Sequence, residues 1–229
     1  MDFEFDKYLM SYFKDDDDDN YNDYFMKLHQ NCEYYDIDDM AKFVASRRGY
    51  QYIAIHVNIR SLPSKFDQLR SLVANMRDIG MPIHFIMLCE TFLTELNCHM
   101  YQLPGYQFIC NNRNSGRGGG VAMYICDDFQ FSIRTDFTVN HNLEFETIFA
   151  EITHGMHTLV IGEVYRVPNT NEQLSINRYE TILRKLSTFN GDVMIGTDQN
   201  LNYLDIERHG NTRDLLNLFI TNGFIPTIT

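Results

Sequence analysis

The sequence predicts an α/β fold of two mixed β-sheets packed face to face, with helices on the outside. Three observations carry this expectation. From Tyr52 to Cys89 a strand, an amphipathic helix and a second strand follow one another, the rhythm of a βαβ unit. From Tyr106 to Tyr165 come short apolar runs joined by turns, with no room for helices, which reads as an antiparallel, meander-like block. Beyond it, helical spacing returns on either side of one more strand.

Taken in order, the chain of 229 residues opens with an acidic segment. Up to Lys42 it holds 13 acidic and 4 basic residues, which leaves 18 and 15 for the rest, so most of the net charge of −12 belongs to the start. The run Asp15 to Asp19 repels itself and predicts a solvated tail over residues 1–45. Five consecutive aspartates lack the alternate-residue spacing and the glycine of a calcium-binding EF-hand loop. One domain is expected over 46–229. Tyr52 to Val57 reads as its first strand, and Pro63 opens a helix that puts Phe66, Leu69, Leu72, Val73 and Met76 on one face. Ile83 to Cys89 is a second, buried strand, parallel to the first or its close neighbour. The middle strands are Tyr106 to Cys110, Val121 to Cys126, Phe129 to Arg134, Phe145 to Ile152 and Thr158 to Tyr165. Tyr179, Ile182, Leu183, Leu186 and Phe189 mark a helix, Val193 to Gly196 a strand, and Leu215, Leu216, Phe219 and Ile220 a last helix closed by Gly223.

Composition excludes several classes. The hydrophobic fraction of 44% is enough for a core and rules out a wholly disordered chain. The acidic balance argues against holding nucleic acid by counterion release alone. The start of the chain has neither a basic n-region nor an apolar h-region, and no apolar run approaches the roughly 20 residues that span a bilayer. Five cysteines with no close pair of metal-ligand spacing read as free thiols, with Cys89 and Cys126 as core residues. A nuclear or cytoplasmic protein, neither secreted nor membrane-bound, is expected.

Polar residues stand just after the C-terminal ends of four strands, where α/β folds build sites. They are Asn58 to Leu62, Glu90-Thr91, Arg166 to Asn169, and Asp198-Gln199-Asn200. Two carboxylates and two amides suit a hard cation, Mg²⁺ or Mn²⁺, with retained waters and substrate phosphates completing its shell. That donor set implies phosphoryl transfer or phosphodiester hydrolysis. The run Arg117 to Gly120 lacks the lysine and hydroxyl of a P-loop and leads into a strand, so it reads as a tight turn that needs positive φ, although Arg113 and Arg117 beside it could meet a DNA backbone. His56 reads as a packed or surface histidine of the first strand.

The ordered strings Asn58-x-Arg60-Ser61-Leu62 with Lys65, Leu88 to Leu93, Gly105-Tyr106 and Arg117 to Ala122 resemble the endonuclease/exonuclease/phosphatase superfamily. Glu144-Phe145-Glu146, Tyr165 to Asn169 and Gly196 to Asn200 follow in the same order. Within that superfamily the pattern looks most like the apurinic-type endonuclease domain of non-LTR, LINE-type, jockey-like retrotransposons. The resemblance implies a four-layer α/β sandwich. It implies Glu90 and Asn58 at the metal, Asp198 positioning or activating water, and Asn200 and Tyr165 at the scissile phosphate. Arg60, Arg117, Arg166 and Asn169 are then the DNA or phosphate contacts.

Two departures from the pattern stand out. Thr197 and Gln199 flank Asp198 where the family has glycine and an aromatic residue, so the turn is expected to differ. The family's further strands with an aspartate and a Ser-Asp-His motif do not follow Asn200, and His209 is not expected to stand in for that histidine. The resemblance therefore implies a domain incomplete at its C-terminus, with weak or absent DNA nicking. The rival readings are a phosphatase or phosphodiesterase of the same superfamily and a non-catalytic binding remnant. The implied partners are DNA and, if the frame continues, the reverse-transcriptase domain of the same polyprotein.

Overall fold

A computed structural model describes residues 52–113, 118–141, 144–203 and 208–225. The expected acidic tail, Cys32, Arg117 and Thr227 to Thr229 lie outside the described residues.

Nine strands and three helices alternate along these residues in two halves. The first half is β1 (Ala54–Asn58), α1 (Leu62–Asp78), β2 (Phe85–Cys89), a single 3₁₀ turn at Cys98–Met100, β3 (Tyr106–Asn111) and β4 (Val121–Cys126). The second is β5 (Gln130–Ile133), β6 (Asn140–His141), β7 (Phe145–His154), β8 (His157–Arg166), α2 (Glu172–Leu186), β9 (Asp192–Asp198) and α3 (Gly210–Thr221). One sheet runs β1-β2-β4-β3 and the other β5-β7-β8-β9, with β6 paired to β7.

The middle strands do not form one meander. β3 and β4 join the first sheet, where β4 lies antiparallel to both β2 and β3. The turn after Cys126 then passes the chain to the second sheet, where β5, β7 and β8 pair antiparallel. Apolar alternation marks strands but does not say which sheet a strand joins.

Three apolar layers hold four layers of structure. Between the sheets, Phe85, Met87 and Cys89 of β2 meet Ile148, Ala150 and Ile152 of β7 and Leu159, Ile161 and Tyr165 of β8. The alternate residues of β2, Ile86 and Leu88, point the other way and pack under Leu62, Leu69, Val73 and Met76 of α1. β2 is thus buried on both faces, which is why it reads as an unbroken apolar run. On the far side, Phe145, Phe149, Val160 and Val164 pack under Ile176, Tyr179 and Leu183 of α2 and Leu215 and Phe219 of α3. The arrangement is the expected α/β/β/α sandwich, and among the described residues no helix is long and apolar enough to cross a membrane.

Two parallel pairs place the site. β1 lies parallel to β2 with Asn58 opposite Cys89, and β8 lies parallel to β9 with Tyr165 opposite Asp198. The C-terminal ends of all four strands therefore open at one end of the sandwich, two from each sheet.

Candidate active site

The loops leaving these four strands are conformationally strained. Among the described residues, the non-glycine positions with left-handed φ are Arg60 and Ser61 after β1, Glu90 and Phe92 after β2, Asn169 after β8 and Asn200 after β9. Each such residue carries a cost of about 1–3 kcal/mol, held in place by its surroundings, and such strain gathers at functional sites. Backbone bonds cross-link the first two loops: Ser61 N–H donates to Glu90 C=O at 2.8 Å and Leu62 N–H to Thr91 C=O at 2.9 Å.

Asn58 is the hub. Its Nδ2 donates to Glu90 Oε1 at 2.8 Å and to Asp198 Oδ2 at 2.7 Å, joining carboxylates from the two sheets. Both amide hydrogens are then spent, and Oδ1 is the side-chain atom left with lone pairs for a cation or a donor. Tyr165 O–H donates to Glu90 Oε1 at 3.2 Å. Burial, the Glu90 charge and that hydrogen bond all raise the Tyr165 pKa, so the phenol stays protonated and acts as a donor. Asp198 Oδ1 accepts from the Asn200 backbone N–H at 3.2 Å, which orients its carboxylate. Arg60, its side chain 80% exposed, holds Nε 3.9 Å from Glu90 Oε2.

The sequence-derived residues divide into two groups. Asn58, Glu90, Tyr165 and Asp198 converge directly, with Arg60 at their rim and Asn200 exposed beside Asp198. Asn200 uses its Nδ2 to hold the Arg166 carbonyl at 2.7 Å. Asn169 is an exposed turn residue after β8.

Arg166 is placed differently from the expected phosphate contact. It is 2% exposed and faces inward, donating through Nε to Gln199 C=O and through Nη2 to Asn200 C=O at 2.7 Å. Its guanidinium braces the loop that follows Asp198. Arg113 is likewise engaged: its guanidinium pairs with the buried carboxylate of Glu146, whose other oxygen accepts the Gly120 N–H at 2.7 Å. The glycine turn has the expected form, with φ of 85°, 72° and 85° at Gly118, Gly119 and Gly120.

Beneath the hub, His56 and Cys89, which the sequence marks only as packing residues, meet Glu163, which sequence reasoning passed over. Glu163 of β8 is fully buried between the sheets, with Oε1 3.0 Å from His56 Nε2. Burial drives the Glu163 pKa up to about 7 against the opposing effect of His56. Burial opposes charge on His56, but the bond to Glu163 and the charges of Glu163 and Asp198 outweigh it, and its pKa is raised. Cys89 Sγ lies 3.8 Å from Asp198 Oδ2, and burial followed by three nearby carboxylates keeps it a thiol. The available signal was Glu163 itself, a carboxylate inside the apolar run Leu159 to Tyr165.

The hub fits a hard divalent cation. Two carboxylates face each other across one amide, and the atoms left to bind are oxygens, the donors that Mg²⁺ and Mn²⁺ take. Glu90 and Asn58 would hold the ion. When bound, it supplies positive charge that polarises a phosphoryl oxygen. Asp198, fixed at both oxygens, can orient and deprotonate a water, and Tyr165 can donate to an oxygen that gains charge.

No protein-family model and no curated protein matches this chain. Solved structures do. The endonuclease domain of TRAS1, a telomere-specific non-LTR retrotransposon, superposes with a TM-score of 0.57 at 12% identity, over 77% of this chain and 75% of that one. A mannosyl-6-phosphatase from Bacteroides thetaiotaomicron superposes with a TM-score of 0.50 at 13% identity, over 73% and 70%. TDP2 from Caenorhabditis elegans gives 0.50 at 13% identity, over 69% of this chain and half of that one. At these identities the likeness speaks to architecture. The fold of this chain is that of the endonuclease/exonuclease/phosphatase superfamily, as its ordered motifs implied.

Proposed function

We propose that this chain is a metal-dependent phosphodiester hydrolase that nicks DNA, of the kind that opens a target strand for retrotransposition. The observation that carries the reading is the convergence of Asn58, Glu90, Tyr165 and Asp198 from four strand ends onto one oxygen-rich centre. A hydrolase of phosphate esters needs a cation to neutralise the phosphate, a carboxylate to handle the water, and neutral donors around the developing charge. The hub supplies residues for each task. The likeness to a retrotransposon endonuclease domain supports DNA as the substrate, and the strings Asn58 to Leu62 and Arg166 to Asn169 favour that type over a phosphatase. A reverse-transcriptase domain is the proposed partner, with nucleus or cytoplasm as the compartment.

Electrostatics set the expected rate. The nearly neutral body puts exposed Arg60 at the rim, while Arg113 and Arg166 are spent inside the protein, so the cation carries most of the phosphate binding. Slow turnover, strongly dependent on Mg²⁺ or Mn²⁺, is the expectation. Two substrates presented side by side test the specificity. Conversion of supercoiled plasmid to open circles, without phosphate release from soluble monoesters, supports the reading; phosphate release without any action on DNA refutes it in favour of a phosphatase.

A further inference from the structure

The floor of the hub carries three side chains that phosphodiester hydrolysis does not use. His56 of β1, Cys89 of β2 and Glu163 of β8 bring a ring nitrogen, a sulfur and a carboxylate oxygen within 4.8 Å of one another. One further observation points to a ligand among them. Glu163 Oε2 is buried and accepts no hydrogen bond, a costly state for a carboxylate oxygen. Gly196 of β9 packs directly against the pair: a Cβ there would stand 2.5 Å from Oε2 and 2.7 Å from His56 Cδ2, too close for either to stay where it is. Gly196 lies outside the left-handed region, so its backbone does not require glycine. What the glycine provides is the close approach of Glu163 and His56, which brings their donor atoms together.

We propose that His56, Cys89 and Glu163 bind a zinc-class divalent cation, in a second metal site directly beneath the hard-cation centre. Imidazole, thiolate and carboxylate together are a zinc donor set, whereas Mg²⁺ takes oxygens. With bonds of about 2.0–2.3 Å, donors around a four-coordinate zinc stand about 3.3–3.8 Å apart. The His56–Glu163 pair, 3.0 Å apart, is already near that spacing, and the cluster as a whole closes by about 1 Å to reach it. Asp198 Oδ2, 3.8 Å from Cys89 Sγ, offers the fourth position from the hub side.

Binding replaces the hydrogen bond between His56 and Glu163. The proton that His56 and Glu163 share passes to solvent, so that neutral imidazole donates its Nε2 lone pair and Glu163 binds as a carboxylate. The Cys89 thiol gives up its proton to solvent as the metal–sulfur bond forms. The two positive charges offset one thiolate and one carboxylate, so the buried site gains no net charge. The cation would tie β1 and β2 of one sheet to β8 of the other at the level of Asp198.

Cobalt, a coloured substitute for zinc, tests the proposal without any measurement of DNA cleavage, so failure here is separable from failure of the nuclease reading. The full chain is stripped with a chelator and titrated with Co²⁺. One equivalent should bind with the strong visible bands of a four-coordinate site and a near-ultraviolet thiolate-to-metal band, both displaced by zinc. Cys89→Ser should remove the thiolate band. Gly196→Ala keeps every donor but pushes the Glu163 carboxylate and the His56 ring out of place, and should weaken binding by roughly tenfold or more. Glu90→Ala, in the upper centre, should leave the band in place. A wild-type chain with no thiolate band, a band that survives Cys89→Ser, a Gly196→Ala variant that binds as wild type, or a band lost with Glu90→Ala would each overturn the proposal.

Discussion

Replacing Arg166 with methionine should cost far more stability than its position beside an exposed site suggests. The guanidinium is buried and donates to the carbonyls of Gln199 and Asn200, with Thr170 Oγ1 3.4 Å away. Methionine keeps much of the volume and removes all the donors. Two carbonyls then lose a charged donor, and each buried acceptor left unsatisfied costs about 1–3 kcal/mol. The contact with Glu172, at 4.0 Å and with a half-exposed partner, adds little. The sum is a loss of about 3–5 kcal/mol, toward the high end for a single substitution. Arg60→Ala is the control, because that side chain is 80% exposed and should change stability by about 0.5 kcal/mol or less. Urea unfolding followed by circular dichroism reads both. An Arg166→Met midpoint within experimental error of wild type would refute the assignment of Arg166 as the brace of the Asp198 loop.

Three further outcomes follow from the geometry. Gly120→Ala combines a left-handed φ of 85° with a Cβ 2.6 Å from Thr91 Oγ1, and should cost about 2–4 kcal/mol in urea unfolding; a neutral result would mean that the turn relaxes freely. Saturating Mg²⁺ should stabilise the chain by about 2.7 kcal/mol at a hundredfold excess over Kd, and Glu90→Ala should abolish that gain in a thermal scan; an equal gain in the variant would place the ion elsewhere. Stability should also fall as pH rises from about 4.5 to above neutrality. Glu163, raised from its ordinary 4.5 to about 7, and His56, raised above 6.5, both keep protons in the folded chain that the unfolded chain has released. Glu163→Gln should flatten that slope when unfolding is compared at pH 5 and pH 8, and an unchanged slope would assign it to other groups.

The elements that the sequence made legible were those whose burial leaves a one-dimensional trace. β2 is apolar on both faces because α1 covers one and the second sheet the other, and α1 shows its stripe from Leu62 to Met76. The hub was legible because polar residues at strand ends need no partner to be conspicuous. Long-range pairing left less trace. His56 and Glu163 are 107 residues apart, and neither strand states that the other lies across from it. Arg166 looked available for phosphate because a sequence shows a charge but not the carbonyls of Gln199 and Asn200 that fold back over it. The two-residue strand β6 and the passage of the chain between sheets after Cys126 depend on tertiary pairing alone.

The central claim is that the four strand ends form a cation-dependent phosphodiesterase centre. Plasmid nicking in Mg²⁺, with chelator, Glu90→Ala and Asp198→Ala run beside the unaltered chain, tests it most directly. The account predicts slow conversion to open circles that stops with chelator and with either substitution. Nicking that persists in both variants at the wild-type rate, or no nicking at all in Mg²⁺ or Mn²⁺, would contradict it.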